Sequence, residues 1–440
     1  MKKIAAMEQH AVAIIGIGCT FAQSPDLKGF LKVLMRGINA VSDPPDTHRH
    51  LRDYLDPDPK RADHIYCNRG GFLPRLDFDP SEFGIPPSAI EATDTSQLLG
   101  LVVAKQALAD AGYGDGGQSF DRERTSVILG VTGTQELVIP LGARLGHPIW
   151  RRALDEAGVP PAAADRVMQS ISDSYVGWQE NSFPGLLGNV VAGRIANRLD
   201  LGGTNCVVDA ACASSMSALH LALMELTGER ADMVLAGGVD TINDAFMHMC
   251  FSKSQILSPS GEIRPFSQDA DGTLLGEGIG MVVLKRLADA RRDGNRIYAV
   301  IKGLGSASDG KSQSIYAPRA AGQASALARA YHHAGVDPAT VQMVEAHGTG
   351  TRVGDQVEFE ALCEVFRKDQ ADNGNHCALG SVKSNIGHTK AAAGTAGLIK
   401  TALALYHKIL PPTLKAMPTD TKLGVANSPF YINHALRPWT

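Results

Sequence analysis

Long apolar runs, paired cysteines and a strong charge excess are all missing from this sequence of 440 residues. No run of about 18 apolar residues occurs, so we predict no membrane-spanning helix. The basic residues at the N-terminus are followed by Glu8, Gln9 and His10 before any apolar segment of signal-peptide length, so we expect no secretion signal. The formal net charge of -4 favours neither nucleic acid nor an anionic membrane surface as a partner.

The seven cysteines are scattered along the chain and form no C-x-x-C pair. An odd number of isolated cysteines predicts neither a disulfide framework nor a zinc site, so we expect no metal. Reduced thiols are typical of cytoplasmic proteins, and we therefore expect a cytoplasmic location.

What the sequence does contain is a series of short apolar runs separated by helical patterns. The runs at residues 11–18, 126–131, 233–238 and 281–284 are continuous, which is typical of strands buried on both faces. Strands that alternate with helices at this spacing predict an α/β protein with a mainly parallel sheet.

One cysteine, Cys212, follows an apolar stretch and lies among small residues. Met216, Leu219, Leu223 and Leu226 recur after it at three- and four-residue spacing, which predicts a helix with one apolar face that begins just after Cys212. The free N–H groups and the dipole at a helix N-terminus favour a thiolate, and small neighbours let a substrate approach. Taken alone, Cys212 is either an activated nucleophile or a small buried hydrophobe.

The second half of the chain has the same order of parts as the first. An apolar strand is followed by His347 and by glycines and threonines at 348–351, and a later turn with His388 feeds a helical pattern. Lys383 precedes that turn, where a lone lysine would ordinarily be solvated. Two related halves packed back to back would bring the turns at Cys212 and His388 to one place.

A cysteine with two histidines suits acyl transfer through a thioester. The thiolate attacks the thioester carbonyl, and backbone N–H groups at a helix N-terminus stabilise the oxyanion. Loss of carbon dioxide from a malonyl thioester then generates an enolate, which two neutral imidazoles can stabilise by donating N–H without protonating the carbanion. A cysteine hydrolase is the weaker alternative, because it leaves Lys383 and one histidine without a use.

Three motifs carry a resemblance to a known family. Residues 209–215 (Asp-Ala-Ala-Cys-Ala-Ser-Ser), 345–351 (Glu-Ala-His-Gly-Thr-Gly-Thr) and 383–388 (Lys-Ser-Asn-Ile-Gly-His) resemble, in order, the nucleophile motif and the two histidine motifs of β-ketoacyl synthases of the thiolase superfamily. The resemblance extends from Ala11 to Trp439. It implies a thiolase-like α/β fold of two related halves in α-β-α-β-α layers. Residues 11–262 would carry the cysteine and residues 263–440 both histidines.

The resemblance implies catalytic roles for three residues. Cys212 would carry the growing acyl chain, and its own N–H would form part of the oxyanion hole. His347 and His388 would polarise the malonyl thioester carbonyl during decarboxylation and condensation. The implied activity is therefore a decarboxylative Claisen condensation with malonyl-acyl carrier protein, which makes the chain an acyltransferase.

Supporting roles and partners are implied in the same way. Lys383 would hold geometry and charge near His347, with Glu358 as a supporting partner. Thr349 and Thr351 would hydrogen-bond the phosphopantetheine arm of an acyl carrier protein. Because that arm carries the substrates, the resemblance implies no other bound cofactor. It also implies a homodimer that works with other domains of a multidomain synthase.

Weaker sequence similarities indicate a subfamily. Residues 66–74 and 181–195 are similar to the first ketosynthase of polyunsaturated fatty acid synthases, and residues 308–311 and 314–319 agree with that interpretation. Iterative polyketide synthases are the alternative.

One departure from the family concerns the end of the sequence. The resemblance implies a last pair of strands with a Gly-Thr-Asn loop, which would supply a gatekeeping aromatic residue and a second oxyanion N–H. This sequence stops at Thr440. We therefore keep a second hypothesis, a non-catalytic docking or dimerisation fragment of a larger synthase.

Overall fold

The computed structural model describes residues 11–133, 135–311, 314–366 and 374–440. Its strands in chain order are β1 (Val12–Phe21), β2 (Thr125–Gly130), β3 (Asn205–Val208), β4 (Met233–Asp240), β5 (Gly278–Arg286), β6 (Ala299–Ile301), β7 (Met343–Glu345), β8 (Cys377–Gly380), β9 (Ile409–Leu410), β10 (Phe430–Ile432) and β11 (Arg437–Pro438).

The α-helices of the same residues are α1 (Leu27–Arg36), α2 (Thr95–Asp110), α3 (Val138–Arg144), α4 (His147–Glu156), α5 (Pro161–Asp173), α6 (Ser182–Leu186), α7 (Val190–Arg198), α8 (Ser214–Thr227), α9 (Ala245–Lys253), α10 (Leu287–Arg292), α11 (Ala320–Ala334), α12 (Arg352–Phe366), α13 (Lys383–Ile386) and α14 (Ala393–His407). Short 3₁₀ turns at Ala211–Ala213 and Lys390–Ala392 precede α8 and α14. Within the described residues, no helix is both long and apolar enough to span a membrane.

The larger sheet has six strands in the order β3-β2-β4-β5-β1-β6. β2 runs parallel to β3 and β4, whereas the β4–β5, β5–β1 and β1–β6 pairs are antiparallel. The prediction of a mainly parallel sheet is therefore wrong for this sheet. Continuous apolar runs report burial on both faces, which β1 and β5 have, but they do not report strand direction.

The layers follow the α-β-α-β-α order expected of the thiolase-like fold. Helices α2 and α7 cover the outer face of the six-stranded sheet. Helices α8 and α14 form the middle layer, and α14 also contacts β7 of the smaller parallel sheet β10-β8-β7. Helices α11 and α12 cover the other side of that sheet. Strands β5 and β6 lie in the first sheet, so the two sheets do not divide at residues 262 and 263.

Helix α8 begins just after Cys212, as the apolar spacing predicts. Leu219, Leu223 and Leu226 are buried, and each such side chain contributes about 1.5–3 kcal/mol to folding. Met216 was expected on the same face but is 37% exposed. It lies in the first turn of α8, where Ser214 and Ser215 are the buried residues instead.

Two glycines let the site-bearing segments approach the first sheet. A Cβ on Gly130, the last residue of β2, would lie 2.3 Å from the backbone nitrogen of Ser215 at the start of α8. A Cβ on Gly238 in β4 would lie 2.6 Å from the carbonyl oxygen of Ala391. The bare backbone at these positions therefore brings the N-termini of α8 and of α14 against neighbouring strands.

Candidate active site

Cys212 lies on the 3₁₀ turn between β3 and α8 and is half-buried. Asp209 holds this turn, because its Oδ1 accepts hydrogen bonds from the Ala211 N–H at 3.0 Å and the Thr132 hydroxyl at 2.6 Å. Ala211 has a φ of +49°, which residues with a Cβ rarely adopt. The turn therefore presents the thiol in a fixed and mildly strained conformation.

The protonation of Cys212 differs from the sequence-based expectation. Burial raises the pKa of the Cys212 thiol above its usual range, and the opposing charges of Lys383 and Lys390 do not compensate. The expected resting thiolate is therefore not supported, since burial of the sulfur favours the neutral thiol.

His388 meets Cys212 at the start of the middle layer. Its Nε2 lies 3.1 Å from the Cys212 Sγ, and its Nδ1 accepts the Lys390 N–H at 3.1 Å. A neutral imidazole whose Nδ1 accepts a hydrogen bond carries its proton on Nε2. Burial first, and then the charge of Lys383, lowers the pKa of His388 well below its usual value. The ring is therefore neutral at pH 7 and donates towards Cys212.

His347 follows β7 and presents the second imidazole. The Lys383 Nζ lies 3.3 Å from the His347 Nδ1 and donates to the His347 carbonyl oxygen at 2.6 Å. The charge of Lys383, and secondarily burial, lowers the pKa of His347 to about 3. The side chain itself is exposed to solvent, so we assign the shift to the adjacent charge. His347 is also neutral at pH 7, with Nε2–H as its free donor.

The three side chains converge from the two halves of the chain. The rings of His347 and His388 are 5.2 Å apart, at 88° to each other, and donor atoms of both lie within 4.8 Å of each other and of the Cys212 Sγ. This spacing could hold a metal ion. However, a metal-bound histidine normally donates its other N–H to an acceptor, whereas here each Nδ1 faces a donor. The geometry therefore favours hydrogen-bond donation into the site over metal binding.

Glu358 and Lys383 support the His347 strand end. Glu358, on α12, accepts the N–H groups of His347 at 2.6 Å and Gly348 at 2.8 Å. Lys383 is 3% exposed. Burial lowers the pKa of Lys383 and raises that of Glu358, while each opposes the shift of the other by its charge.

The two threonines lie between His347 and α12. The hydroxyls of Thr349 and Thr351 are 2.9 Å apart and hydrogen-bonded to each other, and both residues are partly exposed. Each hydroxyl keeps bonding capacity, so the pair can still bind an amide-containing chain that enters the site.

Comparisons with known proteins identify the family of the chain. Residues 9–290 match the family model of the β-ketoacyl synthase N-terminal domain, and residues 298–417 match that of the C-terminal domain. The chain belongs to the β-ketoacyl synthase family. The thiolase-like fold inferred from the three motifs is thereby confirmed.

Curated relatives of this ketosynthase are much longer proteins. It is 42% identical over 435 residues to a polyunsaturated fatty acid synthase polypeptide of a Thraustochytrium species, covering 97% of this chain and 15% of the relative. It is 35% identical over 434 residues to polyketide synthase PksL of Bacillus subtilis, covering 98% of this chain and 9% of the relative. The chain thus corresponds to one part of multidomain synthases.

Solved structures show the same similarity. A ketosynthase from module 6 of the bacillaene synthase of Bacillus subtilis superposes with a TM-score of 0.82 at 34% identity, covering 98% of this chain and 67% of that one. An oxazolomycin ketosynthase domain of Streptomyces albus gives a TM-score of 0.84 at 28% identity, covering 98% and 69%.

Sequence reasoning missed three buried ionisable groups of this ketosynthase, Lys390, Asp240 and Asp355. The Lys390 Nζ lies 2.9 Å from the Asp240 Oδ1, and both side chains are 3% exposed. Asp355, on α12, accepts the Phe266 N–H at 2.7 Å, and burial raises its pKa to about 7. A lysine directly before a run of alanines was the available signal, because a charge in such a stretch must be paired if it is buried.

Proposed function

We propose that this ketosynthase condenses a Cys212-bound acyl chain with a malonyl thioester through decarboxylation. The observation that carries the proposal is the contact of 3.1 Å between the Cys212 Sγ and the His388 Nε2, with the second neutral imidazole, His347, beside it. One nucleophile and two N–H donors are what this reaction requires.

In the first step, Cys212 would take the acyl chain from a phosphopantetheine thioester. The sulfur of Cys212 bonds to the carbonyl carbon, the bond from that carbon to the arm's sulfur breaks, and the thiol proton ends on the arm. The Cys212 N–H would stabilise the oxyanion. Since the exchange is thiol for thiol, the raised pKa of Cys212 is compatible with it.

In the second step, a malonyl thioester would lose carbon dioxide. The electron pair released by the breaking carbon–carbon bond forms an enolate, whose oxygen would accept N–H from His347 and His388. The enolate carbon then attacks the acyl group and expels the Cys212 sulfur as a thiolate, which takes up a proton from water. A β-ketoacyl chain is left on the arm. Because both imidazoles have pKa values far below 7, they stabilise the enolate as weak acids and do not protonate its carbon.

The remaining site residues would hold this arrangement. Lys383 would keep His347 neutral and Glu358 would fix its backbone, which their contacts support. Thr349 and Thr351 would bind the phosphopantetheine arm of an acyl carrier protein. We propose no metal and no further cofactor.

The relatives support a proposal for the partners of the chain. The proposed context is a polyunsaturated fatty acid synthase or a polyketide synthase, with an acyl carrier protein and other synthase domains as partners. We propose a cytoplasmic location and no nucleic acid or membrane partner. We also propose that the chain forms two related halves, residues 11–262 and 263–440, the second of which also contributes β5 and β6 to the six-stranded sheet.

A homodimer is supported by the surface beside Cys212. β3 is an edge strand with β2 as its neighbour, and Met216 and Met224 of the adjoining α8 are 37% and 47% exposed. A second copy would cover both the free strand edge and these apolar side chains. Met224→Glu is expected to shift the mass in light scattering towards the monomer, and an unchanged dimer mass would count against this surface.

Mass spectrometry of the protein after incubation with an acyl thioester tests the first step. We expect one acyl adduct, which Cys212→Ala abolishes and which Cys250→Ala, at an exposed cysteine, retains. A folded parent protein without an adduct would favour the scaffold hypothesis, and catalytic release of free acid would favour the hydrolase.

A further inference from the structure

Lys390 is a buried cation on the turn that carries His388. Its Nζ lies 2.9 Å from the Asp240 Oδ1 and donates to the Gly276 carbonyl oxygen at 2.8 Å. A buried ammonium group is stable only when it is paired and hydrogen-bonded, and this one is both.

Both partners of Lys390 belong to the first sheet or its entry. Asp240 ends β4 and pairs with Gly278 at the start of β5. Its second oxygen accepts the Ala391 N–H at 3.2 Å, while the Gly276 N–H, just before β5, donates to the His388 carbonyl oxygen at 2.9 Å. The lysine therefore ties the His388 turn to two paired strands.

The backbone of Lys390 has an unusual conformation. Its φ is +45°, in the left-handed region that residues with a Cβ rarely adopt. In this conformation its N–H donates to the His388 Nδ1 at 3.1 Å. The ion pair and the hydrogen bond of the Lys390 side chain can therefore stabilise a backbone conformation that would otherwise be unfavourable.

We propose that the Lys390–Asp240 ion pair positions His388, because it holds the Lys390 N–H on Nδ1 and so keeps the imidazole proton on Nε2, facing Cys212. Lys390 contacts no reacting atom and is a positioning residue. The catalytic consequence rests on the proposed function, but the tautomer of His388 is measurable without turnover.

Two double variants without the buried charges separate positioning from packing. Asp240→Asn with Lys390→Gly lets the backbone keep a positive φ at no steric cost, so the N–H stays on Nδ1. Asp240→Asn with Lys390→Met fills the space of the lysine stem but releases the left-handed backbone. If Lys390 positions His388, the glycine variant should resemble the parent more closely in the His388 tautomer and in activity. If Lys390 only fills space, the methionine variant should resemble it more closely.

Nitrogen-15 NMR of histidine-labelled protein reads the tautomer directly, and a His388→Gln spectrum identifies the signals of this ring among 14 histidines. We expect the Nε2–H tautomer in the parent and the glycine variant, and a mixture in the methionine variant. Lys285→Met, which removes another buried lysine near the far end of β5, should leave the tautomer unchanged.

Malonyl decarboxylation gives the second measurement. We expect the glycine variant within about tenfold of the parent and the methionine variant about 100-fold lower, the loss that a misplacement of about 1 Å produces. A methionine variant that keeps the Nε2–H tautomer and is at least as active as the glycine variant would overturn the inference. If the parent itself releases no carbon dioxide but the tautomers differ as expected, the proposed function fails and the positioning role stands.

Discussion

The nucleophile turn and the histidine side of the site are built differently. The small residues on either side of Cys212, Ala211 and Ala213, are exposed, and the turn is held by hydrogen bonds of Asp209 and Ser214. The histidine side contains three buried lysines, Lys383, Lys390 and Lys400, whose exposures are 3%, 3% and 0%. The nucleophile thus depends on backbone geometry, and the histidines depend on buried charge.

This difference has a chemical reason. A thiol that must meet a large acyl group needs open space and small neighbours. Two imidazoles that must stay neutral near a developing negative charge need surroundings that disfavour protonation. The charge of Lys383 is the main cause of the lowered pKa of His347, whereas burial first, and then that charge, lowers the pKa of His388. Disturbing the buried charges should therefore change the pH dependence, whereas disturbing the nucleophile turn should change only the rate of acylation.

The largest effect is expected for Lys383→Met. Without this charge the pKa of His347 rises from about 3 towards its ordinary value of 6.5. At pH 7 the ring would still be mostly neutral, but the contacts of Lys383 with the His347 Nδ1 and carbonyl oxygen are lost, so we expect about 100-fold slower condensation, or roughly 2.7 kcal/mol. Below pH 6 the ring becomes protonated, so the rate should fall further as the pH decreases, which the parent should not show. Rate profiles from pH 5 to 8 measure this.

Lys400→Met is the matched control, because Lys400 is equally buried and ion-paired with Glu345 at 2.6 Å. It should lower stability without adding an acidic limb to the profile. An acidic limb in both variants, or in neither, would contradict the role given to Lys383.

A smaller effect is expected at Asp355, whose pKa is raised from 3.8 to about 7. A carboxyl with a raised folded-state pKa stabilises the fold below its unfolded pKa and progressively less as the pH rises towards 7, by on the order of 2–4 kcal/mol. Asp355→Asn should flatten the decline in urea midpoint between pH 4 and 7.5, whereas Asp77→Asn, at an exposed position, should not. Equal slopes in both variants would refute this account.

The smallest effect is expected on the nucleophile turn. Asp209→Asn keeps one acceptor oxygen but turns an amide group towards the Gly133 N–H, which Asp209 now accepts at 3.3 Å. A lost hydrogen bond of this kind costs about 1 kcal/mol, so acylation should slow about fivefold. The pH profile should keep its shape. A new titration in the profile would contradict the distinction between the nucleophile turn and the histidine side.

Much of the fold was predictable because burial leaves a pattern in the sequence. The apolar runs predicted β1, β2, β4 and β5, and the spacing after Cys212 predicted α8. Strand direction was not predictable, since a strand buried on both faces has the same composition whether it runs parallel or antiparallel. Helix α3 was also missed, because its short apolar pattern is not distinct from that of a packed loop.

The site was predictable in its residues and not in its electrostatics. The motifs identified Cys212, His347, His388 and Lys383, and the structure brings them together. The pairing of Lys390 was not visible, because Asp240 lies far away along the chain and meets it only through the sheet. The neutral state of the thiol likewise depends on burial, which a local sequence does not report.

The most direct test of the central claim measures acyl transfer and carbon dioxide release in the same two variants. Cys212→Ala should form no acyl adduct and still release carbon dioxide from malonyl-acyl carrier protein, because both imidazoles remain. His347→Ala should acquire the adduct and release carbon dioxide about 100-fold more slowly. Variants that both match the parent in both measurements would contradict the division of labour between the cysteine and the histidines.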